Sequence, residues 1–360
     1  MRIIIAGGGT GGHIYPALSL ANKIKQKDPD CELLFVGTKN GQESTLVPEN
    51  GFNIKFINSA TIKGKNILKL VPAAIILIYG VLQSLYIIFR FKPTLVIGVG
   101  GYVSFPMIFA GFSNGNKIIL LEQNSVPGIA NRFLGKLATK VFLTFESSKK
   151  YFNNKKVVMS GNPLREELLK VVHERKSKGS FNILVVGGSQ GSVAVNNAVI
   201  GVLKKLGQSD LARLKLVHQA GTYDYQRVLL EYENIGVEVN VKDYFEDIWN
   251  HIDKADLVIS RSGSGIMELA AFGKPAILIP YPHAADNHQY YNAKYFEENL
   301  AAILIEESDC IVENLFNAII GLMNNKDELK FMSKRAKAIS KINASELIAD
   351  ECINLGEGRN

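Results

Sequence analysis

The chain is poor in cysteine, with Cys31, Cys310 and Cys352 as its three in 360 residues. They are far apart, odd in number and in no metal-ligand spacing, which points to free thiols in a reducing compartment. No leader is expected either. The opening MRIIIAGGGTGGH runs straight into a strand and a glycine turn, with no basic n-region or cleavage site, so no signal peptide is expected. Charge is sparse: charged residues make up 21%, and the net charge is +7. That small basic excess is no nucleic-acid signature and suits an anionic membrane or a phosphate-bearing substrate. The Gly-Lys-Ser/Thr of a P-loop is absent. The D-x-D spelling of many metal-dependent sugar transferases falls at Asp28-Pro29-Asp30, between a helix and a strand on the far side of the sheet.

What is present is apolar and periodic. A hydrophobic content of 47% supports full globular cores, and the length suits two α/β domains. Short apolar runs alternate with helix-like stretches, the pattern of parallel βαβ units. Strands are expected at Ile3-Ile4-Ile5-Ala6, Leu33-Leu34-Phe35-Val36, Leu95-Val96-Ile97, Lys117-Ile118-Ile119-Leu120 and Val141-Phe142-Leu143. A second start, Asn182-Ile183-Leu184-Val185-Val186, repeats the opening order of strand, glycine turn and helix. Lys215-Leu216-Val217, Leu257-Val258-Ile259 and Ala276-Ile277-Leu278-Ile279 follow it. The polar stretch HERKSKGS, residues 173–180, separates the halves. Two Rossmann-like domains are therefore expected, residues 1–163 and 164–340, with a linker within 161–180 and a ligand cleft between them. Residues 326–360 have helical patterning, and the helix at about 341–360 is expected to return to the first domain.

Four glycine turns follow strands, two in each half. Gly7-Gly8-Gly9-Thr10-Gly11-Gly12-His13 satisfies G-x-G-x-x-G, in which glycines permit a tight turn and let a phosphate approach a helix N-terminus. A dinucleotide site would also want an acid at the end of the second strand. That strand ends Val36-Gly37-Thr38-Lys39 with none, and Glu32 begins it instead. The other turns are Gly98-Val99-Gly100-Gly101-Tyr102, Gly187-Gly188-Ser189-Gln190-Gly191 and Ser260-Arg261-Ser262-Gly263-Ser264-Gly265. Any one could be a plain tight turn. Four together suggest a cleft lined from both sides.

GGGTGGHIYPALSLA, GVGGYVSFP, LEQNSVPGIANR, GNPLR, VVGGSQGS, ISRSGSGIMELAAFGKPAILIPYP and DNHQYYNA together resemble the MurG family, in that family's order, from residue 1 to about 294. Members transfer N-acetylglucosamine from UDP-N-acetylglucosamine to lipid I, the undecaprenyl-pyrophosphoryl-N-acetylmuramyl-pentapeptide, in peptidoglycan synthesis. The resemblance implies a GT-B fold, inversion at the anomeric carbon and chemistry without a metal or other cofactor. It implies that Thr10, Gly11 and Gly12 face donor and acceptor phosphates, and that Asn124 touches the donor sugar. Arg165 and Ser189 would contact the UDP part, Phe245 would offer backbone to uracil, Glu268 would hold the ribose hydroxyls and Gln289 would read the sugar. Gly100, Gly101, Tyr102 and Asn131 fall on the acceptor side. One departure stands out: the loop from Arg261 to Glu268 is a residue shorter than the family's, which bears on the diphosphate contacts of Ser264, Gly265, Ile266 and Met267. The implied partners are UDP-N-acetylglucosamine, lipid I and other cell-wall synthesis proteins. The implied place is the cytoplasmic face of the bacterial inner membrane.

His13, at the start of the first helix, is the candidate general base. The positive helix end there favours a neutral, proton-accepting imidazole. The alternative is that it only orients a substrate. Glu122 is the rival base, and His218, His283 and His288 are expected at the surface or on the donor side. Residues 70–89, LVPAAIILIYGVLQSLYIIF, carry no charge and are flanked by Lys63, Lys65, Lys69, Arg90 and Lys92. A transmembrane span, a buried core helix and an interfacial segment all fit the length. The interfacial reading would expose Ile75, Ile76, Leu77, Tyr79 and Phe89 to lipid, with the lysines on anionic headgroups. Other function classes remain to be separated: a UDP-sugar epimerase, a non-catalytic nucleotide-sugar-binding subunit, and a nicotinamide oxidoreductase.

Overall fold

The computed structural model describes residues 1–60, 67–171, 179–188, 190–308 and 311–358, with the backbone alone at 67–70. Ser189, Cys310, most of the polar stretch at 173–180, and the side chains of Lys63, Lys65 and Lys69 lie outside what is described. The chain forms two compact units, residues 1–165 with 341–360, and residues 166–340.

The first unit is built on seven strands: β1 (Arg2–Ala6), β2 (Glu32–Gly37), β3 (Asn53–Phe56), β4 (Leu95–Gly98), β5 (Lys117–Glu122), β6 (Lys140–Leu143) and β7 (Val157–Met159). They pair in parallel in the order β3-β2-β1-β4-β5-β6-β7. The connecting helices are α1 (Gly11–Lys27), α2 (Glu43–Glu49), α3 (Ile67–Phe91), α4 (Ser104–Ser113) and α5 (Ile129–Leu134). Alternation on β1 explains the two cores. Ile3 and Ile5 face one side, with Ile14, Leu18, Ala21 and Ile24 of α1. Ile4 and Ala6 face the other, with Met107 and Ile108 of α4. All three isoleucines are fully buried, each removing about 1.5–3 kcal/mol of apolar hydration cost.

The second unit has β8 (Phe181–Val186), β9 (Leu214–Gln219), β10 (Val239–Lys242), β11 (Leu257–Ser260), β12 (Ala276–Leu278) and β13 (Ala302–Leu304), in the parallel order β10-β9-β8-β11-β12-β13. Its helices are α6 (Glu166–Val171), α7 (Val193–Lys205), α8 (Gln208–Leu211), α9 (Tyr225–Ile235), α10 (Ile248–Lys254), α11 (Ile266–Phe272), α12 (His288–Glu298), α13 (Ile311–Asn324) and α14 (Lys326–Ile339). The last helix, α15 (Ala344–Gly356), belongs to the first unit and packs on α1. Ile348, Ala349, Cys352 and Leu355 complete the α1 face of its core, and Lys27 bridges to Glu346 and Asp350.

Each strand order reverses direction at its centre, beside β1 and β4 in one sheet and β8 and β11 in the other. The four glycine turns leave the carboxyl ends of these four strands. Sheets of this kind bind ligands at that place.

The apolar helix α3 is the crossover from β3 to β4, two strands of one sheet. Ala73, Leu77, Gly80, Ser84 and Ile88 form its buried stripe, at the spacing of a helix face packed on α4. Gly80 approaches so closely that a Cβ there would overlap the Asn58 carbonyl. Val71–Phe91 is long and apolar enough to cross a membrane, yet only 28% of its apolar 18-residue window is buried. The reading as a wholly buried core helix is thereby corrected. Ile75, Ile76, Tyr79 and Phe89 are exposed as expected of an interfacial face, whereas Leu77 lies in the stripe and is 9% exposed. Ile78, Leu82, Leu85 and Tyr86 join the exposed face, which the exposed Phe109 and Phe112 of α4 and Phe133 of α5 extend.

Candidate functional site

In the first unit the turn after β1 runs directly into α1. Thr10 precedes that helix in extended conformation, and its hydroxyl makes no capping bond. Its carbonyl accepts from the His13 and Ile14 N–H groups. Gly11 and Gly12 fall in the first helical turn, which holds no acid of its own.

His13 is half-buried, and its Nδ1 lies 3.2 Å from Gln123 Oε1. Gln123 is buried, and its Nε2 donates to the Val99 carbonyl at 3.0 Å. That second bond fixes which amide atom faces the imidazole. An oxygen facing Nδ1 requires the proton on Nδ1, so the lone pair of the neutral ring lies on Nε2. Gly100 makes room for this arrangement. A Cβ there would lie 2.8 Å from the His13 ring, and its φ of +98° also favours glycine. Gly101, at φ +81°, would bring a Cβ to 2.5 Å from the Gly8 carbonyl. The turns after β1 and β4 therefore touch backbone to backbone, and Ser104 Oγ, 2.9 Å from Ala6 O and 3.1 Å from Gly100 N, ties them. Tyr102 lies beside Gly9.

Glu122, at the end of β5, is 3% exposed. Its Oε1 accepts from the backbone and side chain of Asn124, and its Oε2 from Asn131 Nδ2. Burial pushes its pKa up, while these amide donors pull the other way. The carboxylate thus fixes Asn124 and Asn131. The buried Oδ1 of Asn131 has no hydrogen-bond partner among the described residues. Arg165 stacks on Tyr15, 4.8 Å from the ring centroid.

In the second unit, Gly188 (φ +95°) lies in the turn after β8, and Gly191 packs against the backbone of Ala220 and Gly221. Ser192 caps α7. Gln219, 3% exposed, joins two loops: its Nε2 donates to the Gly188 carbonyl, and its Oε1 accepts from the Phe245 N–H. The Phe245 N–H is thereby engaged within the unit. Arg261 is a larger clamp. It donates to Ser192 Oγ and to the carbonyls of Ile279 and Pro280, and pairs with Glu307 at 2.6 Å.

The short loop from β11 to α11 closes by tight turns, with Ile266 N–H on Gly263 O, Met267 N–H on Ser264 O and Glu268 N–H on Gly265 O. The side chains of Ile266 and Met267 are buried, so both could meet a ligand only through backbone. Ser264 is buried, Gly265 exposed, and Glu268 half-buried in the first turn of α11. Gln289 stands in the first turn of α12, where its Oε1 accepts from the Tyr281 N–H. Asp286 and Asn287 just before it both have φ above +50°, an uncommon conformation for residues with a Cβ.

His218 lies in the second unit but is not at the surface. It is fully buried, with Nδ1 on the Tyr232 hydroxyl and Nε2 on Asn196 Oδ1, and burial pushes its pKa down to about 3. A cavity of about 220 Å³ opens among Asn182, Lys215, Glu238, His251 and Lys254. It sits at the amino ends of β8, β9 and β10, the wrong end of the sheet for this fold's ligands. Among the described residues no three His, Cys, Asp or Glu side chains are grouped to hold a metal ion.

The sequence reading did not single out Gln123, Gln219 or Arg261. Their partners lie far along the chain, so no local spacing marks them.

Residues 3–143 match the glycosyltransferase family 28 N-terminal domain, and residues 182–351 its C-terminal domain. The chain is 39% identical over 356 residues to the UDP-N-acetylglucosamine–N-acetylmuramyl-(pentapeptide) pyrophosphoryl-undecaprenol N-acetylglucosamine transferase of Desulfotalea psychrophila, covering 98% of this chain and 96% of that one. The crystal structure of Acinetobacter baumannii MurG superposes with a TM-score of 0.79 at 28% identity, covering 97% and 98% of the two chains. A UDP-GlcNAc 2-epimerase from Neisseria meningitidis bound to UDP-GlcNAc shares the fold at a TM-score of 0.67 and 13% identity, over 98% and 100% of the chains.

Proposed function

This chain belongs to the MurG family of glycosyltransferase family 28, and from that premise we propose that it transfers N-acetylglucosamine from UDP-N-acetylglucosamine to lipid I, giving lipid II and UDP. The observation that carries the reading is the pairing of glycine turns at the strand-order reversal of each sheet. One lone nucleotide site needs one such pair. A reaction between two diphosphate-bearing substrates uses two.

In the proposed reaction the C4 hydroxyl of the muramyl sugar attacks the anomeric carbon of the donor. The new C–O bond forms as the bond to the UDP oxygen breaks, and UDP leaves with that electron pair, inverting the centre. His13 Nε2 takes the hydroxyl proton, because Gln123 holds the other ring nitrogen protonated. Glu122 is the weaker candidate, since both its oxygens already accept amide hydrogens. Thr10, Gly11 and Gly12 cradle phosphate at the start of α1, with Gly100, Gly101, Tyr102 and Asn131 on the acceptor side and Asn124 at the donor sugar.

Arg165, Ser189, Ser264 and the backbone from Gly265 to Met267 would stabilise the departing diphosphate. Preorganised donors of this kind contribute about 3–4 kcal/mol each. Phe245, Glu268 and Gln289 hold uracil, ribose and sugar. The chemistry is proposed to need no metal. The exposed face of α3 would rest in the cytoplasmic leaflet of the bacterial inner membrane, with Arg90 and Lys92 at the headgroups.

UDP release, measured with and without a short-chain lipid I analogue and with EDTA in both arms, tests the proposal. Release that needs acceptor and survives EDTA is the expected result. Release or isomerisation without acceptor would favour an epimerase, and UDP binding without turnover a binding subunit.

A further inference from the structure

The sequence has no acid at the end of β2, yet the structure places one there. Glu43, the first residue of α2, is 1% exposed. Its Oε2 accepts from the Gly9 N–H at 2.8 Å. Its Oε1 accepts from the Thr38 N–H at 2.9 Å and the Thr38 hydroxyl at 2.8 Å. Three glycines, one from the first turn and two from the end of β2 and the loop after it, enclose it: a Cβ at Gly8, Gly37 or Gly41 would overlap the Glu43 side chain. The carboxylate thus fills a backbone pocket of the kind that binds anions in glycine-rich turns.

We infer that Glu43 is a positioning residue for the acceptor: an internal anion that occupies the nest of donors between the first glycine turn (Gly9 N–H) and the end of β2 (Thr38 N–H and hydroxyl), and holds that turn in the shape that presents Thr10, Gly11 and Gly12. The inference rests on the proposed function, in which the donor diphosphate goes to Arg165, Ser189 and the β11–α11 loop, and takes the phosphate against Thr10, Gly11 and Gly12 to be the acceptor's. Two consequences follow from the geometry. With Gly9 N–H engaged by Glu43, the acceptor phosphates go to the start of α1. The position at which a dinucleotide fold offers a carboxylate to a ribose is also closed, because this carboxylate faces inward to donors of the chain itself.

Replacing Glu43 tests this. Glu43→Ala empties the nest, and an added small carboxylate such as formate can refill it. The expected result is an acceptor KM raised about tenfold or more, the scale of losing hydrogen bonds to a charged group, with the UDP-N-acetylglucosamine KM unchanged. Formate, but not equimolar chloride, should lower the acceptor KM again and raise the Tm of Glu43→Ala without raising that of the unaltered protein. An unchanged acceptor KM would overturn the inference, as would a defect shared by both substrates and indifferent to formate. Glu43→Gln keeps the size, but its NH₂ must face one of the three donors. It should raise the acceptor KM roughly threefold, and carries the test if the alanine variant does not fold; a wild-type acceptor KM there overturns the inference. If the unaltered protein releases no UDP with acceptor, the proposed function fails, while the formate-dependent Tm shift still decides whether Glu43 fills an anion nest.

Discussion

At the scale of single residues, the His13–Gln123–Val99 chain makes the tautomer of the candidate base a property of the fold. His13→Ala should lower kcat about 100-fold or more, the usual scale of acid–base catalysis. Near-normal turnover at saturating substrates would remove His13 from that role. Gln123→Glu puts a negative charge beside Nδ1, which stabilises the imidazolium and raises the His13 pKa. Its base form is then lost at a higher pH, so the acidic limb of the kcat/KM profile should move upward. A profile that stays in place would mean that His13 does not carry the proton. None of this wiring was legible from spacing. His13 announced itself by following a glycine turn, but Gln123 stands 110 residues on and acquires its role only because β1, β4 and β5 are neighbours. Glu43 escaped notice for a similar reason: the acid was sought on the strand, and the following helix supplies it.

At the scale of elements, the strands that sequence made visible are the central ones. β1, β4, β8 and β11 are covered on both faces and read as continuous apolar runs. The four strands that the sequence reading missed, β3, β7, β10 and β13, are the edges of the two sheets. They are short and partly exposed; polar residues dilute the pattern in β3 and β10, while β7 and β13 are too short to stand out as runs. The helix α3 was legible in length and apolarity but not in facing. Burying only Ala73, Leu77, Gly80, Ser84 and Ile88 leaves Ile75, Ile78, Leu82, Tyr86 and Phe89 outward, an exposed apolar face of the kind that marks a membrane or protein contact. Leu82→Glu with Tyr86→Glu should abolish co-sedimentation with anionic vesicles at low salt and leave the Tm within a few degrees. Vesicle binding equal to the parent would place the contact elsewhere. Leu77→Glu should instead unfold the packing against α4.

At the scale of the whole molecule, each unit carries its own stability determinant. In the second unit His218 is neutral and buried, with its pKa held at about 3. An unfolded chain takes up that proton from about pH 6.5 downward, whereas the folded one does not. Stability from this group is therefore complete above about pH 6.5, and falls by about 1.4 kcal/mol per pH unit until the folded pKa is reached. Thermal melts between pH 7 and 4 should show this decline, and His218→Asn should flatten it; an equal slope in the variant would assign the decline to other groups. In the first unit the determinant is α15. Ile348→Ala, at a fully buried position against α1, should cost about 2–5 kcal/mol, seen as a loss of denaturant midpoint.

The return of α15 to α1 also sets an order of events on the ribosome. Synthesis proceeds from the amino end at about 5–20 residues per second, so residues 166–340 are all made before α15 exists. The second unit is continuous in sequence, so its core needs nothing encoded after Ser340. The first unit begins earlier but must wait, its α1 face open, until the last helix clears the exit tunnel. The half encoded first therefore depends on a segment encoded after the other half, and a stop codon before Ala344 would release a molecule with its second half whole and its first half open.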